Sequence, residues 1–205
     1  MSYLFDNLIR YGDFYELKYK VNLEKIKQLE LYKDDWVKYN PRKNIERYGL
    51  SITSLDGGLS GIPDLDSIRE YNNTHKLQLD EPDFNVKTEL WPLVSDCLQP
   101  FEKHLGRTHI IRMKPGGHFP PHRDQYSRNF STFRLFIPLM YCNPPQTYFI
   151  LEDKILNFNH GHAYFINTCK EHSLFTMSHE SMFVVANIVI NEESIDQVLQ
   201  HFSVR

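Results

Sequence analysis

The chain has 205 residues, 41% of them hydrophobic, which is enough for one sizeable core. Its 23 Lys and Arg against 26 Asp and Glu leave a net charge of -3, so no global field favours nucleic acid or an anionic membrane. No apolar run approaches the roughly 20 residues of a membrane helix. The opening residues carry charges throughout, and the 3 cysteines form neither a CxxC pair nor a disulfide framework, so a cytoplasmic setting is expected.

The first third is polar and irregular, with a helix predicted at about 22–33. The stretch "KYNPRKNIERYGLSITSLDGGLSGIPDLDS" is rich in Gly, Pro, Asn and Ser and reads as a long ordered loop. It is expected to cover a site, with Arg47 and Tyr48 contacting an acidic or amide-bearing substrate. Residues 88–105 place Leu90, Leu93, Val94, Cys97, Leu98 and Phe101 at helical spacing. Pro92 fits the first turn of that helix, and Pro100 kinks or ends it.

From residue 107 the texture changes to short β-branched and aromatic runs: "RTHIIRMK", "TFRLFIPLM", "TYFILE", "HAYFINT", "SLFTM" and "MFVVANIVI". Strands at this spacing predict a sandwich or barrel rather than alternating α/β units. The ending "NEESIDQVLQHF" reads as a capping helix. The expected architecture is mainly β with flanking helices, as one domain. Residues 1–106 form a helical and loop part packing on the barrel, 107–190 its β core and 191–205 a C-terminal helix.

Within the core, "GGHFPPHRDQ" is dense in backbone punctuation and then presents His122 and Asp124. In an extended segment residues i and i+2 point the same way, so imidazole and carboxylate aim at one point while Arg123 faces elsewhere. Two ligands are too few for a metal. A further imidazole would complete the two-His, one-carboxylate set that leaves open positions on ferrous iron. Among 10 histidines the best candidate is His172, which follows a strand and a short turn that would return the chain to the mouth of a double-stranded β-helix. His118 is either a rival ligand or a neighbour of the site that meets the substrate.

Arg134 lies inside the apolar strand "FSTFRLFIPLM". Alternation puts Phe133, Leu135, Ile137 and Leu139 on one face and Thr132, Arg134 and Phe136 on the other. An inward guanidinium needs an anion, either a cosubstrate carboxylate or one of the chain's own acids. Arg112 is a weaker second candidate for the same task.

The order "PGGHFPPHRD", "FRLFIPL", "GHAYFINTCKEHS" and a closing apolar strand resembles the iron(II)- and 2-oxoglutarate-dependent dioxygenases, and most closely their aspartyl/asparaginyl β-hydroxylase-like branch. The resemblance implies a double-stranded β-helix of the jelly-roll or cupin type. It implies His122, Asp124 and His172 as iron ligands and Arg134 as the anchor for 2-oxoglutarate. Dioxygen would be the second cosubstrate, and the reaction hydroxylation of an unactivated C–H bond in a protein, peptide or amino acid. Two departures stand out. Some β-hydroxylases lack the carboxylate ligand that Asp124 supplies here. Many superfamily members place the anchoring arginine ten residues after the last histidine, where this chain has Met182. The competing reading is a cupin-like metal- or small-ligand-binding protein without oxygenase activity; a buried anion anchor at Arg134 would discriminate against it.

Overall fold

Two large β-sheets face each other in the computed structural model, which describes residues 3–61, 64–124 and 131–202. The strands in the N-terminal part are β1 (Phe14–Lys20), β2 (Val37–Lys38), β3 (Arg47–Ser51), β4 (Thr53–Ser54) and β5 (Val86–Lys87). Next come β6 (Leu105–Met113), β7 (His118–His122), β8 (Thr132–Met140) and β9 (Thr147–Leu151). The chain continues through β10 (Lys154–Leu156), β11 (His162–Ile166), β12 (His172–Thr176) and β13 (Ser181–Val189). The larger sheet has 7 strands in the order β1-β11-β8-β13-β6-β3-β2, and the smaller has 4 in the order β10-β9-β12-β7. This is the expected double-stranded β-helix.

Strict alternation explains why the larger sheet can be buried on both faces. In β8, Phe133, Leu135, Ile137 and Leu139 enter the core outside the barrel, whereas Phe136 enters the core between the sheets. The outer face is covered by helices α1 (Tyr3–Ile9), α4 (Trp91–Leu98) and α5 (Glu192–Gln200); α2 (Leu23–Ile26) and α3 (Ile68–His75) are shorter or more exposed. Helix α4 buries Leu93, Val94, Cys97 and Leu98 and gives way to a 3-10 turn at Gln99, because Pro100 has no N–H to continue the ladder. Helix α5 starts on a capping box between Asn191 and Ser194. No helix among the described residues is long and apolar enough to cross a membrane.

The N-terminal part does more than pack on the barrel. Strand β1 extends the larger sheet by pairing with β11, with Tyr15 and Leu17 buried. Strand β3 pairs antiparallel with β6 from Arg47↔Met113 to Ser51↔His109. The expected covering loop is therefore partly a sheet strand, and Arg47 sits on rigid scaffold.

Candidate active site

The approach to His122 needs its two glycines for different reasons. Gly116 has φ +84, a left-handed conformation, and a Cβ on Gly117 would lie 2.5 Å from the Glu46 carbonyl oxygen. The turn leads into β7, whose pairing with β12 is irregular: His172 faces His122, yet Leu174 faces Phe119. Between these pairs β7 spends one residue more than β12, at Pro120 and Pro121, a bulge that re-aims side chains. Phe119 and His122 consequently both line the interior.

His122, Asp124 and His172 offer ligand atoms that all lie within 4.8 Å of one another. His122 Nδ1 is 2.7 Å from the Pro120 carbonyl and His172 Nδ1 is 3.0 Å from the Lys170 carbonyl. A carbonyl only accepts, so each Nδ1 carries the proton and each Nε2 presents its lone pair. Those Nε2 atoms stand 3.2 and 3.6 Å from the Asp124 carboxylate. Asp124 is fixed by its own backbone N–H, which donates to the Thr168 carbonyl at 3.0 Å. Its Oδ2 is buried and, although Arg134 Nη1 stands 2.8 Å away as an ion pair, receives no well-aligned hydrogen bond among the described residues, so it keeps a lone pair that a metal cation could meet. Two neutral imidazoles and one carboxylate are the donors that suit a first-row divalent metal with open positions.

The electrostatics favour that state. Burial pushes the Asp124 carboxyl up, but the Arg134 guanidinium, first among the opposing causes, outweighs it and holds the group ionised, well below the usual carboxylate range. Burial lowers the His172 pKa, with Asp124 opposing, so its lone pair stays free.

Three of the remaining expectations concern residues that the fold separates from the site. Arg134 lines the same cavity, of about 350 Å³, and its Nη1 is 2.8 Å from Asp124 Oδ2. Its Nη2 is 3.9 Å from Glu81, and its Nε has no hydrogen-bond partner among the described residues. Arg112 is not in the cavity. Ile111 and Met113 take the inward positions of β6, so Arg112 faces out, with its guanidinium 4.4 Å from the Trp36 ring centroid. Tyr48 is likewise outside, bonded to Glu46 at 2.9 Å, because it follows Arg47 on a strand and must point the other way. His118 stands before the β7 bulge and faces out, stacked on Phe175 with ring centroids 5.9 Å apart. Arg47, by contrast, lines the cavity and is 3% exposed.

Residues that no motif singled out complete the chamber. Arg107 and His109 alternate inward on β6. Arg107 donates from Nε and Nη2 to both oxygens of Glu81, at 2.8 and 2.9 Å, and Asn187 donates to the same carboxylate at 3.1 Å. His109 is buried beside Tyr39, with ring centroids 5.2 Å apart. Burial, then Arg107 and Arg134, hold its pKa well below the ordinary imidazole range. The available signal was the alternation Arg-x-His in "RTHIIR", the same period that marked His122 and Asp124.

No curated protein matches this sequence. A prolyl hydroxylase from Trichoplax adhaerens, solved in complex with a hypoxia inducible factor oxygen degradation domain peptide fragment, is similar with a TM-score of 0.51 at 11% identity, over 91% of this chain and 88% of that one. A Pseudomonas putida prolyl-4-hydroxylase aligns over 92% of this chain and 98% of its own, with 11% identity and a TM-score of 0.49. The viral collagen prolyl hydroxylase of Paramecium Bursaria Chlorella virus-1, in its 2OG complex, aligns over 90% and 99%, with 10% identity and a TM-score of 0.48. At these identities the first likeness shows a shared fold. The sequence pattern of the family described as Aspartyl/Asparaginyl beta-hydroxylase matches residues 72–187, more than half of the chain and a span that holds β6 to β12 with the His122, Asp124 and His172 cluster. This chain belongs to the aspartyl/asparaginyl β-hydroxylase family and is a hydroxylase on a double-stranded β-helix.

Proposed function

We propose that the protein is an iron(II)- and 2-oxoglutarate-dependent dioxygenase that hydroxylates an unactivated C–H bond of an Asp- or Asn-like side chain in a protein, peptide or amino acid. One observation carries the reading: a two-His, one-carboxylate donor set and an inward arginine share one cavity. His122, Asp124 and His172 hold the metal, and Arg134 binds the distal carboxylate of 2-oxoglutarate. When bound, iron with 2-oxoglutarate and dioxygen supplies oxidative decarboxylation to succinate and carbon dioxide, coupled to insertion of one oxygen atom into the C–H bond.

The chain's own contribution is orientation and exclusion of water. The Pro120 and Lys170 carbonyls keep both histidines in the ligating tautomer. Arg134, held beside Asp124 on a strand of the central sheet, presents a fork that matches a carboxylate. Phe119, Phe136, Phe149 and Phe183 wall the cavity and lower its effective dielectric, which strengthens each ionic contact inside. The chain, residues 1–205, acts as one domain, a reading supported by β1 and β3 being strands of the same sheet. Three free cysteines, two of them buried, support a reducing, cytoplasmic setting.

The test is succinate release from 2-oxoglutarate by the iron-loaded protein, screened with peptides and free amino acids. Turnover stimulated by one class of substrate, and absent in His172→Ala, is the expected result. Metal binding without any 2-oxoglutarate binding would favour the cupin-like alternative.

A further inference from the structure

Besides Arg107 and Arg134, the cavity is lined by Arg47, a cation to which the proposed function assigns no role. Arg47 is 3% exposed, yet among the described residues no carboxylate lies within ion-pair distance of it, and its Nε is buried without a hydrogen-bond partner. Its guanidinium is held over two rings, 4.2 Å from the Phe119 centroid and 5.6 Å from that of Tyr39. The other inward arginines are paired: Arg107 with Glu81, and Arg134 with Asp124. An isolated buried cation is costly, and burial lowers the Arg47 pKa accordingly. Aromatic faces recover only part of that cost.

Its position relates it to the reacting centre. Phe119, which Arg47 covers, stacks toward His122 with ring centroids 6.3 Å apart. Arg47 therefore approaches the ligand cluster through Phe119, whereas Arg134 reaches it through Asp124. The residue is anchored by β3, where it pairs with Met113 of β6, so it is preorganised rather than carried by a loop. Uncompensated charge on rigid scaffold inside a cavity is the arrangement expected where a ligand supplies the counter-charge.

We propose that Arg47 forms a substrate subsite for a carboxylate, so that this enzyme selects an acidic substrate group and rejects the corresponding amide. The inference rests on the dioxygenase reading and narrows it: an Asp-type side chain or a small free dicarboxylic amino acid is taken, and an Asn-type one is not. A carboxylate matches the guanidinium fork with two hydrogen bonds and cancels its charge. An amide leaves the buried cation unneutralised, and a site built for one polar partner rejects its analogue strongly.

The experiment compares the wild type, Arg47→Met and Arg134→Met as intact proteins loaded with Mn(II) under argon. Calorimetry measures binding of 2-oxoglutarate and then, in its presence, of four probes: free aspartate, free asparagine, N-acetyl-aspartate amide and N-acetyl-asparagine amide. The wild type should prefer an acid over its amide by at least about tenfold, as expected of a charge-matched polar contact. The stronger acid probe tells a free amino acid from a peptide side chain. Arg47→Met should bring that ratio to about one while changing 2-oxoglutarate affinity less than about twofold, since a lost contact acts on its own ligand. Its melting temperature without ligands should match or exceed the wild type, because an uncompensated charge has been removed.

An unchanged acid-to-amide ratio in Arg47→Met overturns the subsite. So does a loss of 2-oxoglutarate binding equal to that in Arg134→Met, which would assign Arg47 to the cosubstrate. Failure of the wild type to bind 2-oxoglutarate at all would refute the dioxygenase reading instead, and the acid and amide probes can still be compared without it.

Discussion

Strands β6, β8 and β13 carry two unlike faces. The outer one is mainly apolar: Ile110, Leu135, Ile137, Val184, Ala186 and Ile188 have no exposure and pack beneath the helices, with Thr108 and Arg112 as the polar interruptions on β6. The inner one is graded. At one end stand Ile111 and Met113 on β6, Phe136 on β8 and Phe183 on β13. At the other stand Arg107 and His109, Arg134, and Asn187. The register aligns these ends, because Asn187 faces Arg134 and Phe183 faces Ile111. The outer face is thus given over to packing, where every deleted methylene is felt. The other accepts buried charge at one end, and that end holds the ligand cluster.

The largest test of this contrast is His172→Ala. Metal binding and turnover should fall by well over the roughly 10–100-fold that loss of an outer metal partner costs, while the melting temperature of the metal-free protein barely moves. Metal stoichiometry and a thermal scan read the two quantities separately. Unfolding of the variant would show that the inner face also carries the fold.

Ile137→Ala is the mirror experiment. Ile137 is fully buried on the outer face and does not line the cavity, so the variant should lose about 2–5 kcal/mol of stability in a denaturant titration. Its metal and 2-oxoglutarate affinities, measured where it is folded, should match the wild type. A parallel loss of both would mean that the faces are not independent.

Arg134→Met probes the ionic end itself. 2-Oxoglutarate affinity should fall by up to about 2–5 kcal/mol, the usual loss for one partner of a desolvated charge pair. Metal affinity should change far less, because the three donors remain. Calorimetry under argon gives both numbers, and unchanged 2-oxoglutarate binding would move the anchor elsewhere.

The smallest effect concerns pH. An unfolded histidine titrates near about 6.5, whereas folded His109 resists protonation because of burial and the nearby Arg107 and Arg134. The unfolded chain therefore binds the extra proton first. This contribution to stability is intact above pH ~6.5 and is lost as the pH falls below it, by at most about 1.4 kcal/mol per unit. His109→Gln should flatten the slope below that point, and an unaltered slope would assign it to another group.

Much of this division was legible in the sequence, and for a physical reason. Period-two patterning reports which face a side chain takes, so Arg134 inside "FSTFRLFIPLM" and the pair His122 and Asp124 announced their direction. His172 was legible because a strand, a polar turn and a strand start recur in "HAYFINTCKEHS". The same rule, applied to residues 47 and 48, would have separated them: Arg47 enters the cavity and Tyr48 leaves it. That segment read as a loop because Asn, Pro and Gly depress strand propensity, while its pairing partner β6 lies far along the chain. Strand β1 was missed for a related reason, since the alternation of "FYELKYK" is masked by its charges. His118 was misplaced because a bulge is a property of the pairing with β12 and leaves only the prolines as a local trace.

The most direct measurement is the anomalous scattering map of a crystal grown with Mn(II) and 2-oxoglutarate under argon. The account predicts one metal peak at about 2.0–2.2 Å from His122 Nε2, His172 Nε2 and an Asp124 oxygen, distances usual for such donors, with the distal carboxylate of 2-oxoglutarate on Arg134. A metal peak that omits any of these three ligands, or a 2-oxoglutarate whose carboxylate avoids Arg134, would contradict it.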